Sequence, residues 1–97
     1  MFNKNSSSEK IKEYLSKGAV ILDVRTQMEW DEAHIEGAKH LVLDKIPEHV
    51  ETIKAYRKPI IAVCKSGGRS GAAKEFLSKH GMDIINGGPW QNVAKYL

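Results

Sequence analysis

The apolar positions along the chain fall into short blocks separated by turn-forming residues. SSSE (6–9) has the spacing of a capping box, with Ser6 and Glu9 three apart. Ile11, Tyr14 and Leu15 then fall on one helical face, and Gly18 is suited to end that helix. AVIL (19–22), followed by Asp23, reads as a strand buried on both faces. A helical turn or two is predicted over 28–34, and KHLVL (39–43) is the next strand candidate. Pro47 can start a helix carrying Val50, Ile53 and Tyr56, and Pro59 ends that segment. IIAV (60–63) is the clearest strand. Ser70 to Lys79 reads as a helix with Ala73, Phe76 and Leu77 inward, closed by Gly81. MDII (82–85) reads as a strand, NGGP (86–89) as a breaker, and WQNVAKYL (90–97) as a final helix. Strands alternating with helices predict an α/β sandwich around a mostly parallel sheet. In such folds ligands bind beyond the carboxyl ends of the strands.

Composition narrows this picture. Ninety-seven residues suit one domain with one modest core, and 1–97 is read as a single domain. The net charge of +3 comes from interspersed signs with no basic arm, so no nucleic-acid partner is expected, although small anions are plausible ligands. No apolar run approaches the ~18 residues of a membrane span, and MFNKNSSSEK lacks the apolar core of a signal peptide. A cytoplasmic protein without a membrane partner is expected. The one cysteine, Cys64, can form neither an intramolecular disulfide nor a cysteine-rich metal site.

Cys64 therefore carries the chemical question. A lone cysteine is commonly a small buried hydrophobe. Here CKSGGRS (64–70) joins a strand end to a helix. Gly67 and Gly68 permit torsions that side chains forbid, so the loop can turn successive amides inward as an anion nest. The following helix adds the positive end of its dipole, and Lys65 and Arg69 add two cations. A thiol so placed ionises more readily than an ordinary cysteine, which titrates near ~8.5. No GK[ST] follows the glycines, which disfavours a nucleotide P-loop.

CKSGGRS resembles the active-site loop of rhodanese-type sulfurtransferases, which often reads C-x-S-G-x-R-S. VILDVRTQMEWDEAHIEGAKHL (20–41) is similar to the family's first block, and INGGPW (85–90) to the glycine pair and tryptophan near its end. Three blocks in order, from about residue 9 onward, carry the resemblance. It implies a rhodanese-like three-layer sandwich, with a central mostly parallel sheet flanked by helices on both faces. Four residues separate Cys64 from Arg69, where the related phosphatases have five. The resemblance thus implies a ring sized for sulfur rather than for a phosphoryl group.

The implied chemistry is a relay through a Cys64 persulfide, from a small anionic donor such as thiosulfate to cyanide or a thiol. No cofactor and no metal is implied. A protein donor or acceptor is the alternative, making the chain a persulfide carrier; a phosphatase or arsenate reductase and an inactive structural domain are further rivals. A monomer or a weak homodimer is expected. Cys64 is the candidate nucleophile, with Lys65, Ser66, Gly67, Gly68, Arg69 and Ser70 as the substrate-binding loop. Arg69 faces the anion or pairs with an acidic side chain, and Ser70 donates to the persulfide or caps the helix. Asp23 and Arg25 are supporting residues: Asp23 is expected to accept loop hydrogen bonds, and Arg25 to reach the rim or pair with Glu29. Trp30 and Ile35 are assigned to the core and His34 to a structural hydrogen bond. Ala33 stands where the family usually has glycine. A shortened first edge strand is expected near Phe2.

Overall fold

The computed structural model describes residues 7–97. The Ser6–Glu9 capping box and the edge strand near Phe2 lie outside the described residues in whole or in part. Four strands, β1 (Val20–Asp23), β2 (Lys39–His40), β3 (Ile60–Cys64) and β4 (Ile84–Pro89), form a sheet of order β2-β1-β3-β4. Every pairing among them is parallel. The helices are α1 (Ser7–Ser16), α2 (Gln27–Glu32), α3 (Val50–Lys54), α4 (Gly68–Lys79) and α5 (Trp90–Ala94), with a 3₁₀ helix over Leu43–His49.

All five residues of β3 are buried, as the central strand of a sheet covered on both faces requires. Strand alternation sends them to two cores. Ile60, Ala62 and Cys64 pack with Leu22, Ile46, Ile53, Ala73 and Leu77, beneath the 3₁₀ helix, α3 and α4. Ile61 and Val63 pack with Ile11, Tyr14, Ile21, Ile35 and Val93, beneath α1 and α5. The result is the expected three-layer sandwich. Burying each large aliphatic side chain contributes roughly 1.5–3 kcal/mol. Tyr14 donates to the Asp83 carboxylate, pinning α1 to the entry of β4.

Several boundaries differ from the sequence reading. The 39–43 strand keeps strand geometry only at Lys39–His40, although Leu41 and Leu43 still donate backbone bonds to Asp23 and Val24. Pro47 lies inside the 3₁₀ helix and does not start α3. The largest change is at 86–89. These residues are the last four of the six in β4, not a breaker. The register slips there: Ala62 faces Asn86 but Val63 faces Gly88, leaving Gly87 as the extra residue of a bulge. A Cβ on Gly87 would lie 2.7 Å from Ile61 Cγ2 and 3.0 Å from Val93 Cγ2, so glycine is set by space. The strand survives its two glycines because the close approach of β3 and α5 requires the first, and the second, Gly88, takes a φ of +79 that side chains rarely adopt.

Candidate active site

β1 and β3 lie side by side, and their carboxyl ends deliver Asp23 and Cys64 to the same edge of the sheet. Cys64 ends β3 on the α4 side, and the chain turns back into α4 within three residues. Gly67 makes that turn with φ +107, in the region that side chains rarely adopt. Gly68 differs: it is the first residue of α4, and a Cβ there meets nothing. Of the two glycines expected to permit torsions that side chains forbid, only Gly67 adopts one.

The turn aims donors at sulfur. Gly67 N–H lies 3.0 Å and Ser70 N–H 3.3 Å from Cys64 Sγ, and Ser70 Oγ is 3.3 Å away. Cys64 and Ser70 are fully buried. Burial is the largest single influence on the thiol and opposes ionisation. The Ser70 hydroxyl and the N–H groups of Ser70, Gly67 and Ser66 together outweigh it, and the thiol is held below its ordinary range. No side chain caps α4; the N–H of its cap residue Gly67 and that of Ser70 in its first turn are directed at the sulfur. Ser70 lies in that first turn rather than at the cap, so the capping role is replaced: its Oγ donates to Asn86 Oδ1 at 2.6 Å.

The supporting residues pair differently from expectation. Asp23 accepts from Arg25 N–H at 3.0 Å, from Nε at 2.9 and 3.0 Å and from Nη2 at 2.8 Å, and not from the Cys64 loop. Both side chains are buried. Arg25 also donates to Ala33 O at 2.8 Å and lies 5.1 Å from the Trp90 ring centroid. Ala33 is extended, at φ −171, a conformation any residue adopts, which explains why alanine serves at this turn. Glu29 pairs with Arg69, not Arg25, through two bonds of 2.7 and 3.0 Å. Arg69 thereby ties the start of α4 to α2. The Arg69 guanidinium, with Thr26 N–H, holds the Glu29 carboxyl down at about 2.

Trp30 is half-buried and stacks on His34 and His40 rather than filling the core; Ile35 is buried. His34 Nδ1 bonds to Trp30 O at 2.8 Å. The side chains of Lys65 and Ser66 are exposed. Lys65 borders a cleft of about 220 Å³ with Arg25, Glu29, Glu32, Trp90 and Gln91. A larger cleft of about 740 Å³, among Arg57, Lys58, His80 and Asp83, lies at the amino ends of β3 and β4, away from the sulfur.

Asn86 is the residue the sequence reading missed. Its Oδ1 accepts from Ser70 Oγ and, at 2.9 Å, from Gly88 N–H, while its Nδ2 donates to Gly67 O at 3.0 Å. One side chain of β4 thus braces both ends of the α4 turn. The available signal was an asparagine two residues before a glycine, a spacing at which the side chain readily accepts that glycine's N–H.

The model of the rhodanese-like domain family matches residues 7–91. The chain belongs to the rhodanese-like domain family. Over 75 residues it is 31% identical to thiosulfate sulfurtransferase PspE of Escherichia coli, covering 75% of this chain and 72% of that protein. Its fold is similar to that of a rhodanese-related protein from Thermoplasma volcanium, with TM-score 0.74, 27% identity and coverage of 92% and 88% of the two chains. A rhodanese from E. coli solved with anions gives TM-score 0.71 at 28% identity, over 78% and 92%. The α/β fold and the family resemblance of the chain therefore agree with independent comparisons. No helix among the described residues is long and apolar enough to cross a membrane.

Proposed function

We propose that this rhodanese-like domain is a sulfurtransferase working through a Cys64 persulfide. The observation that carries the reading is the pair of N–H donors, from Gly67 and Ser70, aimed at a sulfur whose ionisation they favour. The Cys64 thiolate attacks the outer sulfur of a donor such as thiosulfate. A new S–S bond forms, the donor's own S–S bond breaks, and sulfite leaves with that electron pair. Cyanide or a thiolate then attacks the outer sulfur of the persulfide, and the electron pair of the broken bond returns to Cys64. One transfer becomes two steps. The amides that face Sγ are preorganised for negative charge on sulfur. Lys65, at the cleft mouth, draws the anionic donor in; Arg69 acts chiefly as a brace through Glu29.

The name of the E. coli relative supports thiosulfate as donor. One observation favours a second reading, in which the chain receives persulfide sulfur from, or passes it to, another protein. Arg69 is committed to Glu29 and Arg25 to Asp23, so Lys65 is the cation of the cleft rim without an ion pair among the described residues. That is a modest charge for a dianionic donor.

The test is thiosulfate:cyanide sulfurtransferase activity of wild type and Cys64→Ser, with mass spectrometry after donor exposure. Wild type gains one sulfur on Cys64 and turns over, and Cys64→Ser does neither. Slow cyanide turnover with rapid transfer to or from a protein persulfide selects the carrier reading. A wild type that gains no sulfur from any donor refutes both.

A further inference from the structure

Ser70 Oγ lies between two groups that each want its proton. Cys64 Sγ is 3.3 Å away on one side and Asn86 Oδ1 2.6 Å away on the other. A hydroxyl has one hydrogen to give. The orientation of the Asn86 amide is fixed by its other partners: Gly88 N–H must meet the oxygen, and Gly67 C=O must meet the nitrogen. Asn86 Oδ1 can therefore only accept from Ser70. Gly71 leaves room for this amide, since a Cβ there would stand 3.1 Å from Nδ2.

We infer that Asn86 is a positioning residue for the nucleophile, acting through the single Ser70 proton. When Cys64 is a thiol, S–H donates to Ser70 Oγ and the hydroxyl donates to Asn86. When Cys64 loses its proton to solvent, the Ser70 hydrogen turns to the thiolate, and Asn86 Oδ1 keeps Gly88 N–H alone. Asn86 and the thiolate thus compete for one donor, and Asn86 favours the thiol. In the persulfide, Sγ carries neither proton nor charge, so the Ser70 hydrogen returns to Asn86. This last step rests on the sulfur-relay reading; the competition itself does not. It makes the bare thiolate the one state of the cycle that draws the hydroxyl away from Asn86, so Asn86 restrains the idle nucleophile and favours the loaded one.

The ionisable groups facing this turn are Asp23 and Arg25 from the end of β1, Glu29 from α2, and Lys65 and Arg69 from the loop and α4; the described stretch of β4 beside it, Asn86–Pro89, contributes none. All are left unchanged by the variants below.

The test titrates thiolate absorbance against pH, with Cys64→Ser subtracted to cancel tyrosine, and needs no sulfur donor. Its outcome is therefore independent of whether the chain transfers sulfur. Asn86→Ala should raise the thiolate fraction roughly three- to tenfold at a fixed pH below the midpoint, because it frees a donor of that strength. Ser70→Ala should lower it. In the Ser70→Ala background, Asn86→Ala should have no further effect. An unchanged or lowered thiolate fraction in Asn86→Ala overturns the inference, as does an equal rise with and without Ser70. Should Asn86→Ala fail to fold, Asn86→Asp decides. That variant keeps the acceptor and adds charge, so it should depress the thiolate more when Ser70 is present than when it is absent; equal depression in both backgrounds overturns the inference.

Discussion

Two strand-to-helix turns stand side by side at one edge of the sheet, and they are closed by opposite means. The β1–α2 turn closes with side chains. Asp23 takes the Arg25 backbone and guanidinium, Thr26 caps α2, and Glu29 returns the capping box. The β3–α4 turn closes with backbone. Its cap is a glycine, and its amides converge on a sulfur. The first turn satisfies itself. The second is braced from outside by Asn86 of β4 and aims its Gly67 and Ser70 N–H groups at the sulfur of Cys64, which is what a reactive position needs. Rigidity in the one supports openness in the other, since Glu29 of the first holds Arg69 of the second.

The sharpest way to break this contrast is to open the self-satisfied turn. Asp23→Ala leaves Arg25 buried without its partner and should cost about 3–5 kcal/mol in urea unfolding. Cys64→Ser should cost much less while abolishing transfer. If Asp23→Ala proves mild, the first turn is not the rigid half.

The two glycines sharpen the contrast within the second turn. Gly67→Ala forces a side chain to φ +107 and should lose roughly 1–2 kcal/mol together with most activity. Gly68→Ala, with open space at Cβ, should stay within about 0.5 kcal/mol of wild type and keep its activity. Paired melts and assays of the two variants check this. Thr26→Ala should cost about 1 kcal/mol through the lost cap, with the thiolate titration unmoved.

The smallest effect concerns the link between the turns. The Glu29–Arg69 pair is partly exposed, at 26% and 35%, and should contribute at most about 1 kcal/mol. The Glu29 carboxyl is lowered from 4.5 to about 2. Its contribution is thus fully present above the unfolded value, declines as pH falls below 4.5, and is gone once pH drops past about 2. Urea midpoints of wild type and Glu29→Gln should differ by a constant amount at pH 6–7 and converge in acid.

The strands with the longest apolar runs, and Cys64 at the end of one, could be read from the chain because burial on two faces leaves a continuous apolar signature. Gly67 was legible for the same reason: a tight turn after a buried strand needs it. The partners of Asp23, Arg25 and Arg69 were not. Whether an arginine meets the carboxylate two residues away or one forty residues away depends on how two turns are placed, and no local pattern encodes that. Asn86 was hidden by a correct rule wrongly applied. Paired glycines before a proline do break most strands, but here β3 and α5 approach so closely that only glycine fits at Gly87. Pro47 misled similarly, since a 3₁₀ helix accepts proline where an α-helix start was expected.

The bracing of the cysteine turn by β4 also has a consequence for biosynthesis. A ribosome delivers Cys64 and its glycine turn before it delivers Asn86 and the strand that completes the sheet. A nascent chain paused between them carries the thiol, but its turn has neither the β4 brace nor a finished core to hold its amides in place. The nucleophile gains its full environment only when β4 docks. A chain truncated before β4 carries Cys64 with neither the brace on Gly67 nor the competition for the Ser70 proton.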